Sequence, residues 1–397
     1  MTEARKHVCI LGGGFGGLYT ALRLNELPWE NSGKPKITLV DKSDRFLFSP
    51  LLYELLTGEM QAWEIAPSYS ELLADTQVQF KQGSVKNIDL TQKRVKLEDG
   101  TELDYDRLVM GTGGNTPLDF VPGAQEYALP FRTLGDAMVL ADKLKQLENS
   151  DAKYIRIVIA GGGYSGVELA CKLADRLGNR GRIRIIERAD QILRTSPEFN
   201  RDTAKKALEA KQVWLDLETE IQSIEAASIT IAYKGKIDTI PVNLVLWTVG
   251  TRVSEFIAQL PLKHNNSGFL VTNSLLQVEG DPHIYALGDL ADCQDATGQQ
   301  VPKTAQAAIQ QSDYCAWNIW ASLTGRPPLA FRYQPLGEMM TLGINEATLT
   351  GLGLKLEGTT AYLARRLIYL YRLPTRKHQL TVGLNWLAQP LLELLKS

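Results

Sequence analysis

Cysteine is scarce and scattered in this chain, with four residues in 397, at Cys9, Cys171, Cys293 and Cys315. No CxxC pair occurs, which excludes a dithiol redox centre and a cysteine-based zinc site on sequence grounds. Such usage suits a reducing compartment. Cys9 and Cys171 each lie in an apolar element beside a glycine turn and read as small buried filler. An excess of either charge is also missing. With 43 basic against 45 acidic residues, the chain has no field that would draw a polyanion, so no nucleic-acid partner is expected. No uninterrupted apolar run reaches the roughly 18 residues of a spanning helix, so any membrane contact is expected to be peripheral. The opening MTEARKHV lacks the apolar core of a secretory signal and runs at once into an apolar strand.

What the chain does have is two glycine turns in the same setting. Val8 to Leu11 reads as a buried parallel strand, running straight into Gly12-Gly13-Gly14-Phe15-Gly16-Gly17. Leu18, Ala21, Leu22 and Leu24 then recur at helical spacing. In this strand–turn–helix unit Gly12 makes the tight turn, Gly14 lets backbone approach a pyrophosphate, and Gly17 lets helix and strand pack closely. The N–H groups of the helix start then face the phosphates. Ile37 to Val40 is a second strand. Asp41 follows it, placed to accept from a ribose hydroxyl, with Lys42 beside it; the polar stretch 28–35 lengthens the intervening loop beyond the usual spacing of about 20.

Some 150 residues on, the pattern returns. Ile155 to Ile159 is the strand, Gly161-Gly162-Gly163-Tyr164-Ser165-Gly166 the turn, Val167 to Leu177 the helix. Glu187, then Arg188, closes the following strand. Two such units suggest two dinucleotides face to face, a tightly held flavin (FAD) and an exchangeable nicotinamide. Strands ending in small residues accompany each unit: Leu108–Met110 before Gly111-Thr112-Gly113-Gly114, and Leu244–Trp247 before Thr248-Val249-Gly250. A third, His283 to Leu287, ends in Gly288-Asp289, where a carboxylate can accept from polyol hydroxyls. Residues 78–98 alternate apolar and polar, and Asp99-Gly100 marks a hairpin, so this region reads as a small antiparallel sheet inserted in the first unit. Leu134–Leu147 reads as a helix and 148–151 as a linker. Pro50 breaks the strand-like run 45–53; Pro50 and Leu51 read as part of a lid over the flavin or as a domain-core loop.

The ordered set of GGGFGG, Asp41, GTGG, GGGYSG, Glu187, TVG and ALGD resembles the two-dinucleotide, disulfide-reductase-like flavoproteins over about Val8 to Gln311. Within it, Thr304-Ala305-Gln306-Ala307-Ala308-Ile309-Gln310-Gln311 is similar to the AQxAxQQ signature of type II NAD(P)H:quinone oxidoreductases, as is the tail from Tyr369 to His378 with Trp386-Leu387. GGGFGGLYTALRL and FSPLLYELLTGE most resemble the cyanobacterial and chloroplast branch. Members of that branch are linked to plastoquinone and to demethylphylloquinone reduction. The chain departs from disulfide reductases and sulfide:quinone reductases in lacking their cysteine pairs. It also lacks a DxDxDG-type calcium loop.

The resemblance implies an α/β fold of two Rossmann-like domains plus C-terminal membrane-associating helices. The expected domains are a discontinuous FAD domain (1–150 and 268–335), an NAD(P)H domain (151–267) and a quinone- and membrane-facing region (336–397). It implies hydride transfer from the nicotinamide to flavin N5, then two electrons to a quinone, with no proton pumping. Thr304 and Ala305 would present backbone N–H groups to the flavin. Gln306 and Gln310, four apart on one helix face, would bond quinone carbonyls or serve as ordinary helix polarity. Glu168, expected in the first helical turn, would assist at the nicotinamide and flavin or simply sit in the helix dipole. Glu187 favours NADH over NADPH, against Arg182, Arg184 and Arg188 nearby, any of which could reach a 2′-phosphate. In the tail, Leu363, Leu367, Ile368, Leu370 and Tyr371 with Arg365, Arg366 and Arg372, then Leu384, Trp386, Leu387, Leu391, Leu392, Leu394 and Leu395, fit an interfacial anchor. Docking on the chain's own core or in a homodimer is the alternative. The expected location is the cytoplasmic or stromal-type face of a thylakoid or plasma membrane. Two other readings stay open: a soluble flavin reductase for a ferredoxin-like or small acceptor, and a non-catalytic NADH sensor.

Overall fold

The computed structural model describes residues 5–30 and 33–394 of the chain, with side chains described to residue 388. It divides into two compact units. One comprises 1–47, 66–115 and 251–334; the other comprises 48–65, 116–250 and 335–397.

Each unit is built on a five-stranded parallel sheet, and the two sheets repeat one plan. In the first, the order is Ile284–Ala286, Arg107–Met110, His7–Leu11, Lys36–Asp41, Val78–Gln82. In the second it is Ala128–Pro130, Leu244–Trp247, Ile155–Ala160, Gly181–Ile186, Trp214–Asp216. The glycine-turn strand is central in both, and all but His7 in the first and Arg156 in the second are buried, as a parallel strand covered on both faces requires. Each plan continues into a three-stranded antiparallel meander, Val85–Asp104 in the first unit and Thr219–Pro241 in the second. The meander packs on the sheet: Ile88, Val95 and Leu97 join Cys9, Leu11 and Leu108 in one core, while Ile224, Ile229 and Ile231 join Val158, Ala160 and Ile186 in the other. All four cysteines are free and buried.

Four expectations change here. Val78–Gln82 is not in the small antiparallel sheet; it extends the parallel sheet beside Lys36–Asp41, and only 85–104 forms the meander. The domain boundary lies at 115/116, not 150/151, because Ala128–Pro130 hydrogen-bonds to Leu244–Trp247 as an edge strand of the second sheet. Residues 251–267 belong with the first unit, since the two chain crossings pair with each other: Asn115 N–H donates to Arg252 O at 2.7 Å, and Arg252 N–H to Asn115 O at 2.9 Å. Residues 48–65, expected within the FAD domain, fall in the second unit.

That unit also contains an antiparallel sheet (Glu338–Gly343, Glu346–Gly351, Leu354–Glu357) that the sequence pattern did not single out, and two helices, Gly358–Arg372 and Arg376–Leu394. Ala361 and Tyr362 seat the first helix on Ala347 and Leu349. The opposite face leaves Leu363, Leu367 and Tyr371 exposed at helical spacing, and the second helix exposes Leu380, Leu384 and Leu387. No helix among the described residues is long and apolar enough to cross a membrane. The side chains of Leu391, Leu392 and Leu394, and Leu395 altogether, lie outside the described residues. The basic rim expected beside this face is smaller than the sequence suggests. Arg365 is 1% exposed, and the Arg366 guanidinium lies 4.1 Å over the Trp386 ring. Trp386 itself points inward and donates to Glu64 Oε1 at 2.8 Å.

Candidate functional site

In the first unit, Gly12 has φ +92°, a left-handed conformation that a side chain would strain. A Cβ on Gly17 would stand 1.8 Å from Gly12 O, so the helix Phe15–Glu26 can lie this close to the strand only with glycine there. Gly14 faces open space, and the helix has no side-chain N-cap bond, so its first N–H groups remain for an anionic ligand. Gly16 packs against Leu287, and Phe15 meets Phe46 edge-on at 5.3 Å. The Asp41 carboxylate closes the turn, accepting from Gly13 N at 2.6 Å and Ser43 N at 2.8 Å. Burial raises its pKa, opposed by those same bonds. Lys42 is exposed. Tyr69, which the sequence reading missed, lies across the turn and donates to Gly13 O at 2.9 Å.

The other predicted residues of this unit lie at strand and helix ends. Thr112 and Gly113 follow Arg107–Met110, and Gly113 has φ +64°. Thr112 Oγ1 is buried with no hydrogen-bond partner. Gly288-Asp289 follows Ile284–Ala286, and Gly288 N donates to Gln311 Oε1 at 2.8 Å. Gln311 is 2% exposed; it stands within the AQAAIQQ run, and its burial, not its type, marks it out. Thr304 caps the helix Ala305–Thr324 by accepting from Ala307 N. Gln306 Oε1 accepts from Tyr333 OH at 3.1 Å. Gln310 is tied to one backbone residue, with Nε2 donating to Gln334 O at 2.9 Å and Oε1 accepting from Gln334 N at 3.0 Å. One N–H and the oxygen of the Gln310 amide are therefore engaged by its own chain, which fixes the orientation of its second N–H.

A dinucleotide with an isoalloxazine fits this set. The uncapped helix start and the open face of Gly14 suit a pyrophosphate, Asp41 retains acceptor capacity for a ribose, and the orphaned Thr112 hydroxyl awaits a partner.

The second unit repeats the cradle. Gly161 has φ +102°, a Cβ on Gly166 would lie 1.9 Å from Gly161 O, and Gly163 faces open space. The helix Tyr164–Leu177 again lacks a side-chain N-cap bond. Glu187 Oε2 accepts from Gly162 N at 2.7 Å and Oε1 from Ala189 N at 2.8 Å. Beside it, Arg188, Asp190, Glu218, Glu220 and Lys234 line a cavity of about 490 Å³. Arg182 and Arg184 are not there. Arg182 lies 3.9 Å over Tyr154, and Arg184 pairs with Asp216 at 3.1 Å. Val249 is exposed, and Gly250, with φ +84°, abuts Pro117 and Phe120.

Tyr164 and Ser165 open the helix. Tyr164 OH donates to Glu338, and Ser165 Oγ accepts from Tyr53 OH at 3.0 Å. The helix starts at Tyr164, so Glu168 lies in its second turn, not its first. It is 7% exposed and accepts from Thr341 N at 3.0 Å. Burial pushes its pKa up to about 7, against the pull of Arg365 and the Thr341 N–H. Pro50 and Leu51 open a short helix, Ser49–Leu55, in this unit. Leu51 is buried, and Pro50 O accepts from Arg365 Nη2 at 2.7 Å.

The family described as pyridine nucleotide-disulphide oxidoreductase matches residues 6–312. The chain is 60% identical, over its full length and 99% of the relative, to the demethylphylloquinone reductase NdbB of Synechocystis sp.. This chain belongs to the type II NAD(P)H:quinone oxidoreductases. It is also 43% identical to the alternative NAD(P)H-ubiquinone oxidoreductase C1, chloroplastic/mitochondrial, of Arabidopsis thaliana, over 97% of this chain and 81% of that one. Among solved structures it resembles NDH2 of Plasmodium falciparum in complex with NADH, with a TM-score of 0.85 at 18% identity, covering 97% of this chain and 98% of that one. That likeness is one of fold.

Proposed function

We propose that this NAD(P)H:quinone oxidoreductase holds FAD in its first unit, takes NADH in preference to NADPH in its second, and reduces a membrane naphthoquinone of the demethylphylloquinone type, with plastoquinone as the runner-up. The observation that carries the reading is full-length 60% identity to a demethylphylloquinone reductase. The two matching glycine cradles support it.

When bound, FAD supplies hydride acceptance from the nicotinamide and two-electron delivery to the quinone. The chain's residues do the rest. Gly12–Gly17 and Asp41 hold the flavin dinucleotide, with Thr112, Gly288-Asp289 and the start of the Ala305–Thr324 helix completing its site. Gly161–Gly166 and Glu187 hold the nicotinamide dinucleotide. The carboxylates Asp190, Glu218 and Glu220 outnumber Arg188 and Lys234 in the cavity beside Glu187, which disfavours a 2′-phosphate there. Glu168 is a buried carboxyl suited to proton exchange near neutral pH, and Gln306 orients the quinone. The exposed rows Leu363–Leu367–Tyr371 and Leu380–Leu384–Leu387 lie on the membrane surface, where an isoprenoid-tailed quinone is found; the same rows could instead meet a second copy.

Steady-state turnover of the purified protein with NADH or NADPH, against demethylated and methylated naphthoquinones and benzoquinones, tests the substrate. Comparable kcat/KM for NADPH overturns the donor preference; preference for a benzoquinone overturns the acceptor. Replacing Leu363, Leu367 and Leu384 by Glu should abolish binding to anionic vesicles while turnover of a short soluble quinone persists. Retained vesicle binding rejects the membrane face, and a shift from dimer to monomer assigns the rows to self-association.

A further inference from the structure

The segment FSPLLYELLTGEMQAWEI carries three glutamates at five-residue spacing, Glu54, Glu59 and Glu64, in otherwise apolar sequence. Each is withdrawn from water and answered by a distant residue. Glu64 accepts from Asn385 Nδ2 and Trp386 Nε1. Glu59 pairs with the buried Lys172. Glu54, 0% exposed, pairs with Arg365 at 2.5 Å.

Arg365 is the centre of the arrangement, because it stands between two buried carboxylates. Its Nη1 bonds Glu54 Oε1, its Nη2 bonds Pro50 O at 2.7 Å, and Nη2 lies 3.7 Å from Glu168 Oε1. Glu54 therefore has a charge-assisted hydrogen bond, whereas Glu168 has proximity to the charge without that bond. Two carboxylates share one close guanidinium, and burial of a second anion beside the first is costly. The remaining polar atoms, Glu54 Oε2 and Arg365 Nε, are buried with no hydrogen-bond partner, so the cluster is not closed to a proton or a water. Burial would raise the Glu54 pKa, but Arg365 and Lys172 outweigh it and hold that carboxyl below its ordinary value. The groups facing Glu168 are Tyr53, Glu54, Tyr164, Cys171, Arg365 and Tyr369; of these Arg365 is the only cation.

We propose that Glu54 and Arg365 are positioning residues that decide which carboxyl handles the proton: Glu54 claims the guanidinium, so Glu168 is the group that gains and releases it. This rests on the reading of Glu168 as the proton-exchanging residue. The overall balance is NAD(P)H + H⁺ + quinone giving NAD(P)⁺ + quinol. One proton thus comes from solvent, and a neutral Glu168 can donate it to an acceptor oxygen and be reprotonated from water.

The test follows quinone-driven reoxidation of the reduced holoenzyme in single turnover from about pH 5 to 9, read by flavin absorbance. In the native protein the rate falls as pH rises through the Glu168 midpoint. Glu54→Gln frees the guanidinium for Glu168 and should move that midpoint down by about one unit or more. Arg365→Met removes the cation and should move it up; Arg365→Lys keeps the charge and should move it less. A purely structural role lowers the rate in these variants without moving the midpoint, and that result overturns the proposal. Glu168→Gln separates the two readings. If it leaves the pH limb intact, the role of Glu168 itself is wrong. If it abolishes the limb while Glu54→Gln and Arg365→Met leave the midpoint in place, only the positioning proposal fails.

Discussion

From Gly12 to Gly17 and again from Gly161 to Gly166 the backbone solves one problem twice, with φ of +92° and +102° at the first glycine and less than 2 Å for a Cβ at the last. The acid that ends the next strand also repeats its work, with Asp41 on Gly13 N and Glu187 on Gly162 N. The sharpest chemical divergence comes two residues past the last glycine. In the first unit that position is Tyr19, in an aromatic group with Phe15 and Phe46. In the second it is Glu168, buried against Thr341 and Arg365. The small-residue turns differ as well. Thr112 keeps a buried, unpartnered hydroxyl, while Thr248 donates to Ala160 O at 2.7 Å. The cradle is thus generic, and its client is chosen by what surrounds it. An unsatisfied hydroxyl suits a permanently held ligand, and a self-satisfied turn suits an exchanging one.

The sharpest way to break this comparison is to fill both cradles. Gly17→Ala should leave the purified protein without flavin colour. Gly166→Ala should keep the colour but raise KM for NADH by about 10-fold or more, given the 1–3 kcal/mol typical of overpacking. Loss of flavin from the second variant and not the first would reverse the assignment of the units. Next, Glu168→Gln should slow quinone-driven reoxidation about 100-fold. It should leave reduction by NADH within about 2-fold of native, while Tyr19→Phe changes neither half-reaction. Stopped-flow traces of the two halves decide this, and equal rates in Glu168→Gln and native protein reject the role.

The same residue carries a stability signature. Its folded pKa of about 7 lies above the 4.5 of an ordinary glutamate, so the native state binds the extra proton between those values. Stability attributable to Glu168 is present at low pH and is lost as pH rises through that window. Melting temperatures of Glu168→Gln should lack this decline, and a parallel pH profile in native and variant protein would contradict it.

A smaller effect is expected from the acids that end the strands. Glu187→Gln should lower kcat/KM for NADH by about 5- to 10-fold and narrow its lead over NADPH. The matching change, Asp41→Asn, should weaken FAD retention without altering donor preference. An unchanged NADH/NADPH ratio in Glu187→Gln removes the carboxylate from donor choice. The smallest effect belongs to Thr112→Val, which should raise the Kd for FAD by about 5-fold, as expected for one lost hydrogen bond. Thr248→Val should leave FAD binding untouched. Equal FAD affinity in native protein and Thr112→Val would mean that the orphaned hydroxyl does not meet the flavin.

The nucleotide units were legible because their signals are short-range. A strand, a glycine turn, a helix and a closing acid lie within about 30 residues, and Gly12, Gly17, Asp41, Gly161, Gly166 and Glu187 stand where that pattern puts them. The edge strands were not legible. Whether Val78–Gln82 joins a parallel sheet or a meander depends on which backbone it meets, since alternation alone fits both. The same holds for Ala128–Pro130, three residues with no period to read. Gln310 shows the limit for sites: its type and spacing suit a ligand contact, and only the fold reveals that the Gln334 backbone holds part of its amide.

By itself, the amino-acid order determined the two dinucleotide cradles and the acids that serve them, because steric fit at glycine and apolar periodicity act between near neighbours. Tertiary structure alone decided where 48–65 belongs, which of the tail arginines turns inward and what Glu168 faces. Arg365 reads as one more surface cation until a carboxylate 311 residues away removes it from water. A buried charge gets its meaning from its partner, and the partner is chosen by folding.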